Sequence, residues 1–541
     1  MRRLIVLTLL LLLLSPPGQA LAHGLGQSQN LPLPTWLYLF AAAAVVLISF
    51  VQIGLFVGER HALHQYPRIN LLRIGALQAV LTNRPFLFGL RLLSVMLFLL
   101  VILSGVLGQQ GPGYNFAPTF VWITWWVGFC YFTAFVGNLW PLVNPWKFLF
   151  EWADRLACRL GAEKGLELGE PYPASLGVWP ALTLFAVFVW VENVFEGSAT
   201  PQYIALLALL YSMVTWAGMA LFGKEVWLRS GEAFSVFFGI LARFAPTEVR
   251  VSDPELCKDC SEACKIGGRG CINCYECFYK APSEDREINL RPWAFGLSLE
   301  ERVTPDRLTF IIFALASVTY DSLLGTPPWV EVQRLTSMPQ TLGLVALPLL
   351  FLAVYLSFVK ISQLFSFSYV PFGRLAAAYI FSLVPIAIAY QVAHYYTLLL
   401  IQGQAIIALL SDPFGWGWNL FGTADYKVNA GLIGADFVWY SQIALIVAGH
   451  VIAIYLAHVA ALRLIQDPRL AMRSQYPMVA LMMLYTVFSL WILSQPIVEM
   501  RNNEATTAEG APQPTPTETA PQVDPTLREP PMPTRPPSNT Q

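Results

Sequence analysis

Long apolar runs alternate with shorter polar stretches along the whole of this chain. A helix rises about 1.5 Å per residue, so about 20 apolar residues cross the hydrocarbon core of a bilayer. Ten stretches have that length: 35–57, 86–108, 119–141, 175–196, 202–222, 308–325, 342–360, 375–400, 437–462 and 476–498. They predict an all-α integral membrane protein of about ten transmembrane helices. Five of these lie in residues 23–222 and five in 308–498, with the polar segment 223–307 between them.

An eleventh apolar stretch, Leu4 to Leu14, follows Arg2 and Arg3 and is too short to span. Ser15-Pro16-Pro17-Gly18 breaks it, and Ala20-Leu21-Ala22 offers small residues at a cleavage site. Residues 1–22 therefore read as a signal peptide. Cleavage after Ala22 makes His23 the amino terminus, outside the membrane, and ten crossings return the carboxyl terminus to the same side.

Charge tests this order, because cytoplasmic loops carry Lys and Arg in excess. The loop 58–85 holds Arg60, Arg68, Arg73 and Arg84, and the loop 142–174 holds Lys147, Arg155, Arg159 and Lys164. Segment 223–307 holds twelve basic residues, and the loop 463–475 holds Arg463, Arg469 and Arg473. The four loops expected outside between spans hold only Arg334 and Lys427. The cysteine-rich loop 223–307 is thus expected in the cytoplasm. Within the loops, 145–160 reads as an amphipathic interfacial helix, and Phe234 to Phe244 as interfacial or re-entrant. Residues 499–541, rich in Pro and Thr, read as a disordered extracytoplasmic tail.

Composition agrees with lipid as the main solvent. Charged residues are 12% against 56% hydrophobic, where soluble chains carry about 25% charged. The lipid bilayer is the partner this implies. The balance of 33 basic and 34 acidic residues argues against nucleic acid, which selects a basic surface. A homo- or hetero-oligomer is left open.

Six of the eight cysteines fall between 257 and 277: Cys257, Cys260, Cys264, Cys271, Cys274 and Cys277. In a reducing cytoplasm this spacing reads as thiolate ligands; on the other side of the membrane it would read as disulfides. Two C-x2-C knuckles suit tetrahedral zinc. The run Cys271-x2-Cys274-x2-Cys277 with Pro282 suits a [4Fe-4S] cluster, except that Ala281 stands where a fourth cysteine would follow. Zinc is the first expectation and iron–sulfur the alternative. Cys130 and Cys158 read as small buried residues.

Ionisable groups inside a span are costly, which makes each a candidate site. Glu192, Asp321 and His394 fall near the outer ends of three different spans. They are candidates to hold a divalent metal or a substrate, and candidate catalytic residues. His450 lies near mid-membrane, with His458 about 12 Å further in. A bis-histidine haem would need two histidines level on facing helices, and His394 and His450 are about 10 Å apart in depth. His23, if it is the mature terminus, could chelate copper. The stretch 402–436, with Ser411-Asp412-Pro413-Phe414-Gly415-Trp416-Gly417-Trp418, reads either as a lid over the outer site or as an interfacial loop.

Several runs resemble a family of bacterial multi-spanning proteins labelled fenitrothion hydrolase. They are His23-Gly24-Leu25-Gly26, Leu31-Pro32-Leu33-Pro34-Thr35-Trp36-Leu37-Tyr38, Ala393-His394-Tyr395-Tyr396, Leu400-Ile401-Gln402-Gly403-Gln404, Ser411-Asp412-Pro413-Phe414-Gly415, Asn419-Leu420-Phe421-Gly422-Thr423 and Ala448-Gly449-His450. The resemblance implies a bacterial inner-membrane protein that hydrolyses organophosphate esters, and it fixes no catalytic residues. Three functions follow as expectations: a metal-dependent phosphotriester hydrolase acting at the outer leaflet, a transporter or permease for an ion or small solute, and an iron–sulfur redox or sensory protein.

Overall fold

The computed structural model describes residues 34–57, 66–163, 165–253, 255–258, 270–299, 303–336, 339–367 and 369–495. The expected signal peptide, His23, Cys260, Cys264 and the tail 499–541 lie outside the described residues.

Among the described residues, nine helices are long and apolar enough to cross a bilayer. With the interrupted helix 116–135 they make ten, numbered here in chain order. They are α1 (Thr35–Phe56), α2 (Arg84–Leu107), α3 (116–135), α4 (Ala174–Asn193), α5 (Pro201–Phe222), α6 (Pro305–Leu324), α7 (Gln340–Phe365), α8 (Phe372–Ser411), α9 (Ala435–Leu464) and α10 (Pro468–Leu493). The chain is an all-α membrane protein, and each helix lies on a stretch expected from the sequence.

Three helices differ in detail. The helix α10 starts at Pro468 rather than 476, capped by Asp467. The helix α3 stops at Phe135 rather than 141, and its middle, Thr119–Val127, winds in wide π turns. In this stretch, TFVWITWWV, the rings of Trp122, Trp125 and Trp126 all pack against Phe188. The helix α8 runs on to Ser411, because Gln402–Gln404 form a tight turn that leads directly into the helix Ala405–Ser411.

Inside a bilayer, helices associate through close packing and hydrogen bonds rather than through exclusion of water. Small residues therefore sit where helices touch. Gly449 of α9 lies against Ala389 and the Pro385 carbonyl of α8, and Gly105 of α2 lies against the Pro201 carbonyl and Ala205 of α5. The Tyr131 hydroxyl of α3 lies 3.1 Å from each of the Gln391 and Val392 carbonyls of α8, to either of which it can donate. The Tyr320 hydroxyl of α6 donates to the Gln340 carbonyl at the start of α7 at 2.6 Å.

The segment expected to be interfacial or re-entrant forms the helix Ala233–Leu241, buried in the main core. Phe234 packs edge-on to Trp125 and Phe188, and Phe237 stacks on Phe185. Its start is held by Glu232, fully buried, which accepts from the Phe234 and Ser235 amides, Trp140 Nε1 and Tyr211 OH. A carboxylate at a helix amino terminus satisfies otherwise orphaned N–H groups and complements the helix dipole. The expected amphipathic helix forms over Pro145–Arg159, with its first half buried.

The sequence pattern did not announce a small antiparallel sheet: β1 (Ile69–Asn70), β2 (Thr247–Val251), β3 (Cys271–Ile272) and β4 (Arg286–Leu290), in the order β1-β4-β2-β3. The cysteine-rich segment therefore recruits a strand from the loop between α1 and α2. It has a core of its own, made of Val249, Val251, Cys257, Cys271, Cys277, Phe278 and Ala281. Under the sheet, buried Glu248 pairs with Arg291 at 2.5 Å and accepts from Tyr66 OH at 2.5 Å.

Candidate functional site

Four helices deliver one polar chain near the end of the bundle opposite the cysteines. Asp321 comes from the last turn of α6, Glu192 from the last turn of α4, His394 and Tyr395 from α8, and Trp126 from the π turns of α3. Trp126 Nε1 donates to Glu192 Oε1 at 2.7 Å. The Tyr395 hydroxyl lies 3.4 Å from the same oxygen and donates to Asp321 Oδ2. His394 Nε2 meets that Oδ2 at 2.8 Å. The His394 and Asp321 side chains are 21% and 24% exposed, so the pair is reachable without being solvated as a surface pair would be.

One hydroxyl carries one proton. Tyr395 can satisfy Asp321 or Glu192 at a given moment, not both. The chain Glu192–Tyr395–Asp321–His394 thus has more acceptor sites than protons when both carboxylates are ionised and the imidazole is neutral. The sequence-predicted Glu192, Asp321 and His394 are brought together in this way, but they do not surround a single point. Tyr395 stands between the carboxylates. Among the described residues, only Cys257, Cys271 and Cys277 bring three such ligand atoms within reach of one ion.

A separate polar cluster surrounds Tyr485. Thr319, two residues before Asp321, lies 2.6 Å from the Tyr485 hydroxyl of α10. The Tyr485 ring is 5.9 Å from that of His450. His450 is fully buried, and its Nδ1 is bound to the Ile446 carbonyl at 2.8 Å. That bond requires a proton on Nδ1, so Nε2 of a neutral ring is an acceptor. Among the described residues, neither His450 Nε2 nor the buried Tyr390 hydroxyl has a hydrogen-bond partner. Gln442 Nε2 donates to the Ala393 carbonyl, while Gly449 sits against Ala389 and Pro385. This register places His450 deeper than His394 by more than a helical turn, not level with it as a shared haem would need. Further in, His458 meets Gln475 Oε1 at 2.9 Å and the Val57 carbonyl at 3.0 Å.

The loop 402–436 is anchored elsewhere. The Phe414 and Pro413 carbonyls accept from Gln109 and Phe116, at the entry to α3, and Asp412 closes its own turn onto the Trp416 and Gly417 amides. Its hydrogen bonds do not run to Glu192, Asp321 or His394.

At the other end, the Sγ atoms of Cys257, Cys271 and Cys277 lie within 4.8 Å of one another, and all three residues are buried. Cys274, half-buried, adjoins them. Gly270, with φ +102°, lets the chain pass against the Val251 carbonyl on its way to Cys271. The hydrogen bond from Cys274, burial and Cys257 push the Cys271 thiol well above its ordinary range. Packed thiols without a cation keep their protons; a bound cation reverses that preference. The donor set fits a metal. Cys130 is buried as expected, whereas Cys158 is exposed at the end of the 145–159 helix.

Sequence reasoning missed Tyr395, Trp126 and Tyr485, which join the titratable groups. Only Tyr395 carried a signal, being next to His394. No family model, curated protein or solved structure matches the chain.

Proposed function

We propose that the chain is a proton-coupled transporter of an ion or small solute in the bacterial inner membrane. Glu192, Tyr395, Asp321 and His394 form the outer proton-binding site, and His450 is the next station inward. The observations that carry this reading are the bonded set Glu192–Tyr395–Asp321–His394 within the helices and fully buried His450, whose Nε2 has no hydrogen-bond partner among the described residues. An outer-leaflet hydrolase has no use for an acceptor at mid-membrane, and polar groups there are expensive to keep. On this reading the cysteine-bearing end is cytoplasmic, because the basic loops lie there.

The cysteine centre is read as structural zinc. Tetrahedral zinc with bonds of about 2.3 Å spaces its thiolates about 3.8 Å apart, which suits sulfurs within 4.8 Å. A cubane puts each thiolate on a different iron and spreads them further. Cys257, Cys271 and Cys277 would hold the ion, with Cys274, Cys260 or Cys264 as the fourth ligand.

A second reading rests on the Asp321–His394 pair. A carboxylate that orients an imidazole is the arrangement of a general base, and activation of water there would serve the phosphotriester hydrolysis that the family resemblance implies. One experiment separates the two. Purified protein in proteoliposomes is assayed for solute and cation uptake under an imposed proton gradient, and for phosphotriester turnover without one. Gradient-dependent uptake that is lost in Asp321→Asn supports transport. Turnover lost in the same variant, with no uptake across the solute panel, replaces transport by hydrolysis.

A further inference from the structure

The two histidines of α9 differ in what their ring nitrogens meet. A neutral imidazole carries one N–H and one lone pair, whereas an imidazolium carries two N–H groups. His450 suits the neutral ring: Nδ1 donates to the Ile446 carbonyl, and Nε2 has no partner among the described residues. His458, also buried, does not. Its Nδ1 lies 2.9 Å from Gln475 Oε1 of α10, and its Nε2 lies 3.0 Å from the Val57 carbonyl at the end of α1.

Both partners are acceptors. Turning the Gln475 carboxamide over does not help, because its Nε2 already donates to the Ala471 carbonyl at 2.8 Å. The reversed carboxamide sets oxygen against oxygen there, and gains one bond by losing another. Gln475 is buried as well. A neutral His458 therefore directs a lone pair at one of two buried oxygens, and an unpaired buried acceptor is costly. An imidazolium satisfies both. Its charge suits the place, since Val57 closes α1 and the carbonyl end of a helix carries partial negative charge.

No other group nearby takes that role. The helix α1 holds no charged residue. On the elements packed beside His458 the charged residues are Arg374 of α8, half-buried Arg463 of α9, and Asp467, Arg469 and Arg473 of α10. Arg374, Asp467, Arg469 and Arg473 are exposed, Asp467 accepts from the Arg469 amide, and Arg473 stands over the Phe367 ring. Of the phenols, Tyr379 of α8 is bonded to Ser474 at 2.8 Å, and Tyr455 lies one turn before His458 on α9. Among the described residues no carboxylate is paired with His458.

We propose that His458 is a proton-binding site at the junction of α1, α9 and α10, and that its second proton ties the end of α1 to the other two helices. Loss of that proton leaves one donor for two acceptors, so one of the two bonds between helices is given up. His458 holds its proton whether or not the outer site serves transport.

The test is nitrogen NMR of the full chain, labelled at histidine and held in nanodiscs. It runs from about pH 5 to about pH 8, a range that spans the ordinary histidine value of about 6.5. The His458 signals are assigned by their loss in His458→Asn or, where that variant does not fold, by their transfer from a labelled valine carbonyl. Gln475→Met removes the acceptor at Nδ1 and leaves the bond to Val57, which a neutral ring makes unaided. The expected result is two N–H groups on His458 at the acid end, with the second proton lost at least about one pH unit lower in Gln475→Met than in the unaltered chain. A single N–H across the whole range, or a titration that Gln475→Met leaves in place, overturns the proposal. If Gln475→Met does not fold, Gln475→Glu decides: a charged acceptor at the same point should hold the second proton to a higher pH, and a titration unmoved or lowered overturns the proposal.

Discussion

Tyr395→Phe removes one oxygen and little else. The ring stays and the volume hardly changes, so no cavity cost enters. What is lost is the hydrogen bond to Asp321 Oδ2 and the 3.4 Å approach to Glu192 Oε1. A hydrogen bond to a charged group contributes about 1.5–3 kcal/mol, whereas bonds between helices inside bilayers average nearer about 0.6 kcal/mol. Asp321 keeps its bond to His394 at 2.8 Å, so its carboxylate is not orphaned. The expected loss of stability is therefore about 1–2 kcal/mol, nearly all from the Asp321 side, because the Glu192 approach is at the outer limit of a hydrogen bond. Equilibrium unfolding in mixed micelles, run as two double-mutant cycles, separates these terms. Tyr395→Phe with Asp321→Asn should show a coupling of about 1 kcal/mol or more, and Tyr395→Phe with Glu192→Gln less than about 0.5 kcal/mol. Additive effects with Asp321, or the larger coupling with Glu192, would refute this ordering of the chain.

Arg291→Met removes the closer of the two ion-pair partners of fully buried Glu248, which keeps Arg250 at 3.2 Å and the Tyr66 hydroxyl; a loss smaller than the about 3–5 kcal/mol of a fully unpaired buried charge is expected, and adding Glu248→Gln should recover much of it in the same unfolding measurement. Gly449→Val forces a side chain into Ala389 and the Pro385 carbonyl, and should cost about 1–3 kcal/mol, read as a lowered thermal midpoint. The cysteine centre predicts opposite pH trends for its two states. In the metal-free protein the Cys271 value is raised, so its contribution to stability is complete below the thiol's ordinary value of 9.0 and is lost as pH climbs towards the folded value. In the metal-loaded protein the thiolates are held by the cation, and stability is lost as the pH falls. Thermal melts across pH, with and without a chelator, check the crossing, and Cys271→Ser should lower the metal content per chain.

The spans were legible because length and apolarity are properties of single segments. All ten helices lie on the expected stretches, and the largest differences, the extension of α8 to Ser411 and the start of α10 at Pro468 rather than 476, occur where turns and caps rather than hydropathy set the boundary. The helix Ala233–Leu241 was visible as apolar and short; its burial was not, because that depends on the ring partners Trp125, Phe185 and Phe188 from other helices. The sheet was hidden because β1 and β3 are two residues each, and because β1 pairs residues near 70 with residues near 289. At the outer site, an ionisable residue in an apolar run is conspicuous, which is why Glu192, Asp321 and His394 stood out. Tyr395, Trp126 and Tyr485 did not, since aromatic residues are ordinary in a span and become connectors only through the helices they face.

The central claim is that Asp321 and its partners bind an exchangeable proton. Infrared difference spectra of the protein in lipid, recorded between pairs of pH values, report carboxyl protonation directly and need no knowledge of the cargo. The account predicts a titrating carboxyl band that disappears in Asp321→Asn and moves to a different pH in Tyr395→Phe. A spectrum with no such band over the pH range where the protein stays folded, or one that Asp321→Asn leaves unchanged, would contradict it.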